Sequence, residues 1–190
     1  MNDEGLLVVI SAPSGGGKTT ICHALMDIDG YDFSISCTTR PPRAMERDGI
    51  DYNFVSESVF KEYIDKNLLA EWQKIFGFYY GTLNSTLEEA IYKKRILLLD
   101  VDVKGGLNVK KLFIDNTLTI FLVPPDIETL VNRLSNRGTE DEEAISIRRK
   151  RIEEEMELGE YFDHKVVNNR LDETIERVNF IIKERMSKWL

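Results

Sequence analysis

Thiols and imidazoles are scarce in this 190-residue chain: two cysteines, Cys22 and Cys37, and two histidines, His23 and His164. The cysteines form no CxxC pair, so neither a disulfide scaffold nor a thiol-rich zinc site is expected; both read as thiols in a reducing compartment. Each histidine stands alone and reads as a surface or packing residue, not a metal ligand. Long apolar runs are missing too. The first ten residues carry no basic stretch and only a short apolar one, so neither a signal peptide nor a membrane span is expected, and the chain reads as cytoplasmic. Surplus positive charge is absent: 25 Lys and Arg against 33 Asp and Glu give a net charge of −8. That balance argues against non-specific nucleic-acid binding. Any anion the protein holds must be gripped by a local cluster of arginine and lysine. What is present, 42% hydrophobic and 31% charged residues, suits one soluble domain with a substantial core.

Apolar runs of strand length recur at 6–11, 96–101, 118–123 and, more weakly, 165–167. Helical spacing occupies 20–26, 84–93, 126–135, 142–158 and 172–190. This alternation predicts an α/β fold, a parallel sheet wrapped by helices on both sides. The pattern breaks between about Tyr31 and Thr82. Short strands, turns, aromatics and one helix near 57–66 read there as an inserted mixed α/β subdomain. A second break at 136–149 joins a turn to an acidic stretch between helices. It reads as a mobile lid or as an ordinary surface loop. No internal repeat or low-complexity tract is present.

The first apolar run empties into Ala12-Pro13-Ser14-Gly15-Gly16-Gly17-Lys18-Thr19-Thr20. A strand followed by a glycine-rich loop ending in Lys-Thr is the context of a phosphate-binding loop. Glycines let successive N–H groups converge on phosphate oxygens. Lys18 adds charge, Thr19 offers a hydroxyl to Mg²⁺, and the next helix aims its positive N-terminus at the same anion. Ala12 stands where the strict pattern has Gly, which is tolerable at negative φ. The bland alternative is a glycine-rich turn that binds nothing.

Further on, Arg40 and Arg43 lie three apart across Pro41-Pro42, a turn that partly pre-positions two guanidinium forks for a phosphate. Asp51-Tyr52-Asn53-Phe54 and Gly77-Phe78-Tyr79-Tyr80-Gly81-Thr82 add tyrosines whose hydroxyls can complete such a cage. A solvated arginine pair beside core aromatics reads equally well from these residues. Arg133, Arg137, Arg148 and Arg149 would converge if a lid folds over the loop; alternatively they form a helix face paired with Glu140, Glu142 and Glu143. Asp100 ends an apolar run, where a carboxylate beside a phosphate loop can hold Mg²⁺ through water.

Taken together, these motifs resemble guanylate kinases from Val9 to about Asn168. The matching segments are 11–20, Thr38-Thr39-Arg40, Pro42-Arg43, Gly49 with Asp51-Tyr52, Glu71, Tyr79-Tyr80-Gly81-Thr82, Asp100-Val101-Asp102 and Arg137-Gly138-Thr139. The resemblance implies a single domain over 1–190. Its parallel-sheet P-loop core spans 1–35, 83–135 and 150–190, its inserted mixed α/β GMP-binding subdomain 36–82, and its helical lid 136–149. It implies transfer of the γ-phosphoryl group of ATP to GMP, giving ADP and GDP, with Mg²⁺. ATP and GMP would be the partners, without nucleic acid or membrane.

Carried over residue by residue, Ala12 to Thr20, Arg133, Arg137 and Asn168 would bind ATP. Ser36, Arg40, Arg43, Tyr52, Glu71, Tyr80, Thr82, Asp102 and Arg148 would bind GMP. Lys18, Arg40, Arg137 and Arg148 would be catalytic, and Thr19 and Asp100 would hold Mg²⁺ through water. Glu71 would read guanine, whose N1–H and N2–H₂ sit side by side. Adenine would leave that carboxylate unpaired, a mismatch worth roughly 10⁴-fold or more. Departures from the family pattern are Met45, Asn169 and the basic run Arg149-Lys150-Arg151. Two other readings share the fold: an interaction module that binds protein in place of nucleotide, and a nucleoside-monophosphate kinase of other specificity.

Overall fold

A computed structural model describes residues 5–75, 77–126, 130 and 142–187, with the side chains of 142–148 left aside. The core sheet is parallel and five-stranded. Its strands are β1 (Leu6–Ser11), β2 (Tyr31–Phe33), β7 (Ile96–Asp100), β8 (Thr117–Val123) and β9 (His164–Val167), in the order β2-β7-β1-β8-β9. β1 is central, and every one of its residues is buried, as expected for a parallel strand covered on both faces.

Alternation along β1 sorts the core into two layers. Leu6, Val8 and Ile10 pack against Ile21, Cys22 and Leu25 of α1 (Lys18–Met26) and Val178, Ile181 and Ile182 of the helix Leu171–Ser187. Leu7 and Val9 face Leu87 and Ala90 of α3 (Asn84–Tyr92), Val103 and Val109 of α4 (Val103–Leu112), and Phe121 with Phe162. Two further helices complete the six among the described residues: α2 (Glu57–Asp65) and α5 (Glu142–Gly159), the one ending at Ser187 being α6. None of the described helices is long and apolar enough to cross a membrane.

A second, four-stranded sheet forms from β3 (Cys37–Thr38), β4 (Asn53–Phe54), β5 (Leu69–Ile75) and β6 (Phe78–Leu83), in the order β4-β3-β6-β5. It is mixed: β3 and β4 run parallel, while β3–β6 and β5–β6 are antiparallel. Gly77, at φ +86°, makes the turn between β5 and β6. Ser56 starts α2 by accepting the Val59 N–H on its hydroxyl.

Two elements depart from the strand and helix pattern of the sequence. Tyr31–Phe33, inside the segment 1–35 expected of the core, falls where the α/β alternation breaks, yet it pairs with β7 as the edge of the core sheet. α4 was not expected at all, because Gly105-Gly106 weakens the helical signal. Both glycines sit at close approaches. A Cβ on Gly106 would lie 2.7 Å from Val9 Cγ1, and one on Gly105 would lie 2.7 Å from Glu71 Oε2. The expected helix at 126–135, apart from positions 126 and 130, and the lid at 136–149 up to the start of α5 lie outside the described residues.

Candidate active site

The loop between β1 and α1 is shaped by its glycines. Gly15 and Gly17 take φ +81° and +85°, a conformation that side-chain-bearing residues rarely adopt. A Cβ on Gly16 would meet Ala12 Cβ at 2.7 Å. The two positions therefore trade space, and Ala12 is accommodated because position 16 is bare. Among the described residues only Asn67 and Lys94 are non-glycines at positive φ, so Ala12 keeps the negative φ its side chain requires.

The loop is also braced from outside. Gly16 N–H donates to Pro13 O at 2.8 Å. Asn168, just past β9, donates its amide to Gly16 O at 2.8 Å. Ser14 N–H donates to Glu155 Oε2 of α5 at 3.0 Å. At α1's first turn the backbone N–H groups lack intrahelical acceptors, and Gly17 at the N-cap has no side chain to take them.

Pairing of Ile10 with Asp100 brings the end of β7 level with the end of β1. Asp100 thereby reaches both functional residues of the loop. Its Oδ1 lies 2.7 Å from Lys18 Nζ, and its Oδ2 accepts from Thr19 Oγ1 at 2.6 Å. Burial pulls the Lys18 ammonium down, but the Asp100 charge and hydrogen bond outweigh it and hold its pKa above the ordinary value. The oxygen set of Thr19 and Asp100 fits a hard cation such as Mg²⁺. Among the described residues no cluster of three or more His, Cys, Asp or Glu gathers as a metal cage.

A cavity of about 420 Å³ runs from this loop to the second sheet. Its far wall contains Ser36, Tyr52, Glu71, Tyr80 and Asp102. Glu71 is only 6% exposed. It lies opposite Thr82 in the β5–β6 pairing, and its Oε1 accepts the Thr82 hydroxyl at 2.7 Å. Burial pushes its pKa up to about 7; the Asp102 charge adds to the rise and the Thr82 bonds oppose it. Asp102 caps α4, accepting Gly105 N–H on Oδ1 at 2.7 Å. Gly105 thus serves twice, as a donor to Asp102 and as the gap that admits Glu71.

Arg40 sits beneath the rings of Tyr52 and Phe54, 5.5 and 5.9 Å from their centroids. Its Nη2 pairs with Glu46 Oε1 at 2.8 Å, and Glu46 Oε2 accepts Arg43 N–H at 2.8 Å. Tyr52 and Tyr80 meet edge to face. The turn falls at 44–45 and not at Pro41-Pro42; Arg40 is held by Glu46 and by Pro41 O, which accepts its Nη1 at 2.8 Å, while Arg43 is less constrained. Its side chain is 77% exposed, 3.9 Å from Glu46. It lines a neighbouring cavity of about 580 Å³ with Glu46, Tyr52 and Asp100.

Ala12 to Thr20, Ser36, Tyr52, Glu71, Tyr80, Asp100 and Asp102 are thus brought to one cavity, with Thr82 behind Glu71 and Asn168 behind the loop. Arg133, Arg137 and the Arg148 side chain lie outside the described residues. Arg149 does not converge on the loop: it is exposed and pairs with Glu153 along the helix. Arg151 lines the cavity instead, together with Glu155. Sequence reasoning missed Glu46, Gly105, Arg151 and Glu155. The last two were hidden because an Arg and a Glu four apart on a charged helix look like a solvated pair. Both cysteines are buried and free, and burial pushes both thiols up.

A family model for guanylate kinase matches residues 4–185 of this chain. The guanylate kinase of Chlorobium chlorochromatii is 44% identical over 180 residues, covering 94% of this chain and 95% of the relative. That of Salinibacter ruber is 42% identical, covering 95% and 97% respectively. Among solved structures, the crystal structure of guanylate kinase from Anaplasma phagocytophilum superposes with a TM-score of 0.79 at 27% identity, over 96% of this chain and 86% of that one.

Proposed function

The chain belongs to the guanylate kinase family and phosphorylates GMP with ATP, and within that activity we propose that one cavity receives both nucleotides, ATP at residues 12–20 and GMP at the four-stranded sheet. The observation that carries this assignment is Glu71, a buried carboxylate on the cavity wall opposite a phosphate loop.

Guanine presents N1–H and N2–H₂ on one edge, and the ionised Glu71 accepts both. Asp102, Ser36 and the Thr82 hydroxyl complete the polar frame around the base. Arg40, Tyr52 and Tyr80 take the GMP phosphate, with Arg43 joining them from its exposed position. Glu46 keeps the Arg40 fork aimed.

On the donor side, the N–H groups of Gly15, Gly17, Lys18 and Thr19 and the Lys18 ammonium hold the ATP phosphates. Lys18 exchanges its Asp100 partner for phosphate oxygen. Thr19 and Asp100 would hold Mg²⁺ through water, and the ion would supply charge neutralisation of the donor phosphates. The acceptor oxygen belongs to GMP and is already anionic, so the protein need not remove a proton. Its task is to align two anions in line and to cancel their repulsion. Arg133, Arg137 and Arg148, in and beside a lid at 136–149, meet the transferring phosphoryl.

Initial rates with GMP and AMP at equal concentration test the acceptor assignment. GMP should be preferred by roughly 10⁴-fold, and Glu71→Gln should abolish most of the rate with GMP. Comparable rates with the two acceptors in the unaltered protein would sink it.

A further inference from the structure

One anion stands where a polyphosphate is to bind. Glu155 comes from α5, is 8% exposed and lines the same cavity as Ala12 to Thr20. Its two oxygens are separately engaged. Oε2 accepts the Ser14 N–H at 3.0 Å, and Oε1 accepts Arg151 Nε at 2.9 Å. Arg151 lines this cavity too. A like charge beside the phosphates opposes their binding unless it is compensated. A loop N–H that does not face the phosphates needs an acceptor of its own.

We propose that Glu155 is a positioning residue of the donor site: it fixes the phosphate loop through the Ser14 N–H, and Arg151 is the counter-charge that lets its carboxylate stand beside ATP. Asn168 performs the matching task on the carbonyl of Gly16. The loop is then clamped at Ser14 and at Gly16, and the residues following each bracing point are left for phosphate. The inference rests on residues 12–20 being the ATP site.

The chemistry separates the two roles of Glu155. Glu155→Gln keeps an oxygen that accepts the Ser14 N–H but discards the charge. Glu155→Ala discards both. Arg151→Ala keeps the clamp and leaves its anion uncompensated. Steady-state kinetics with each substrate varied in turn, plus thermal melts, read the outcome. Glu155→Ala should raise the KM for ATP about tenfold, with the KM for GMP within twofold. Glu155→Gln should recover most of that loss. Arg151→Ala should also raise the KM for ATP, more so at low salt where the uncompensated carboxylate is less screened. The double variant Arg151→Ala/Glu155→Gln should bind ATP better than Arg151→Ala alone, because the uncompensated anion is gone.

An unchanged KM for ATP in Glu155→Ala would overturn the proposal. So would a lowered one, which would make the carboxylate a competitor of the phosphates. A parallel rise in both KM values would mark Glu155 as merely structural and would overturn it as well. If Glu155→Ala does not fold, the comparison of Arg151→Ala with the double variant decides, and no rescue there rejects the idea. Lys18→Ala serves as the independent control. Wild-type turnover and ATP affinity in that variant would refute the ATP site itself, whereas an inactive Lys18→Ala beside a normal Glu155→Ala refutes only the clamp.

Discussion

On the proposed assignment Glu71 must be an anion to read guanine, while its surroundings favour the neutral acid. Its pKa stands near 7 because burial disfavours the charge. A protonated carboxyl offers one free acceptor oxygen and one hydroxyl donor, which mismatches an edge made of N–H donors. Binding GMP therefore expels a proton below about pH 7. Affinity for GMP should fall by up to tenfold per pH unit below that point and level off above it. Titration calorimetry at pH 6, 7 and 8 checks this; a flat profile would contradict it. For stability, the folded value lies above the ordinary 4.5. The stabilising contribution of the protonated group is full below 4.5 and lost as pH rises through 7. Glu71→Gln should then be more stable than the unaltered protein at pH 8, by on the order of 1–3 kcal/mol, and melt higher, while losing GMP turnover. On the proposed assignment Lys18, which lines the cavity, and Arg40, which packs on the lining residue Tyr52, divide their labour. Lys18→Ala should lose phosphoryl transfer and keep GMP binding. Arg40→Ala should weaken GMP binding by about 1.5–3 kcal/mol, the value of a charge-assisted hydrogen bond. Equal loss of GMP affinity in both variants, measured by calorimetry, would refute the division. Lys18 and Arg40 were legible because their types and motif settings carry the chemistry directly; Glu71 was legible only through the family resemblance. Glu46 and Glu155 were not, because each accepts a backbone N–H, of Arg43 and of the distant Ser14, that no sequence pattern shows.

The elements that position these side chains differ in how plainly they can be read. β1, β7 and β8 are nearly continuous apolar runs, and burial on both faces of a parallel strand demands that composition. α4 was missed because propensity and packing disagree. Gly105 and Gly106 cost helix stability, roughly 1 kcal/mol each relative to alanine, but their bare Cα atoms admit Glu71 and Val9. Tertiary fit overrides local preference there. Gly105 is not at positive φ, so alanine is conformationally acceptable and its cost is steric. A Cβ would press on Glu71 Oε2 at 2.7 Å and Asp102 Oδ1 at 3.0 Å. Gly105→Ala should therefore raise the KM for GMP about tenfold or more. The KM for ATP should stay within twofold and the melting temperature should barely move. Equal KM effects on both substrates, or none, would show that this approach does not govern the guanine site.

Across the whole molecule, the two nucleotides are assigned to different sheets. β2 ends at Phe33 and β3 begins at Cys37; β6 runs directly into α3 at Leu83 and Asn84. Two short crossings therefore join the core to the four-stranded sheet, an arrangement suited to hinge motion. The cavities of about 420 and 580 Å³ between the loop, α1 and that sheet are the space such a motion would close. Their alternation of strand and helix made the core legible, whereas the relative placement of the two sheets has no local signature. In-line transfer needs the reacting oxygens near contact and water excluded, or ATP is hydrolysed. We expect the empty protein to be open and to compact when both sites are filled. Small-angle scattering with and without a bisubstrate ATP–GMP analogue should show the radius of gyration falling toward ~16 Å, the value for a compact chain of this length. Arg137, in the proposed lid segment, should contact the phosphoryl group only in the closed state. Arg137→Ala should then lower kcat by 100-fold or more and leave GMP affinity within a few-fold, because its interaction forms mainly in the transition state. An unchanged radius, with wild-type turnover in Arg137→Ala, would leave the alignment of the two substrates to a rigid cavity and remove the need for a lid.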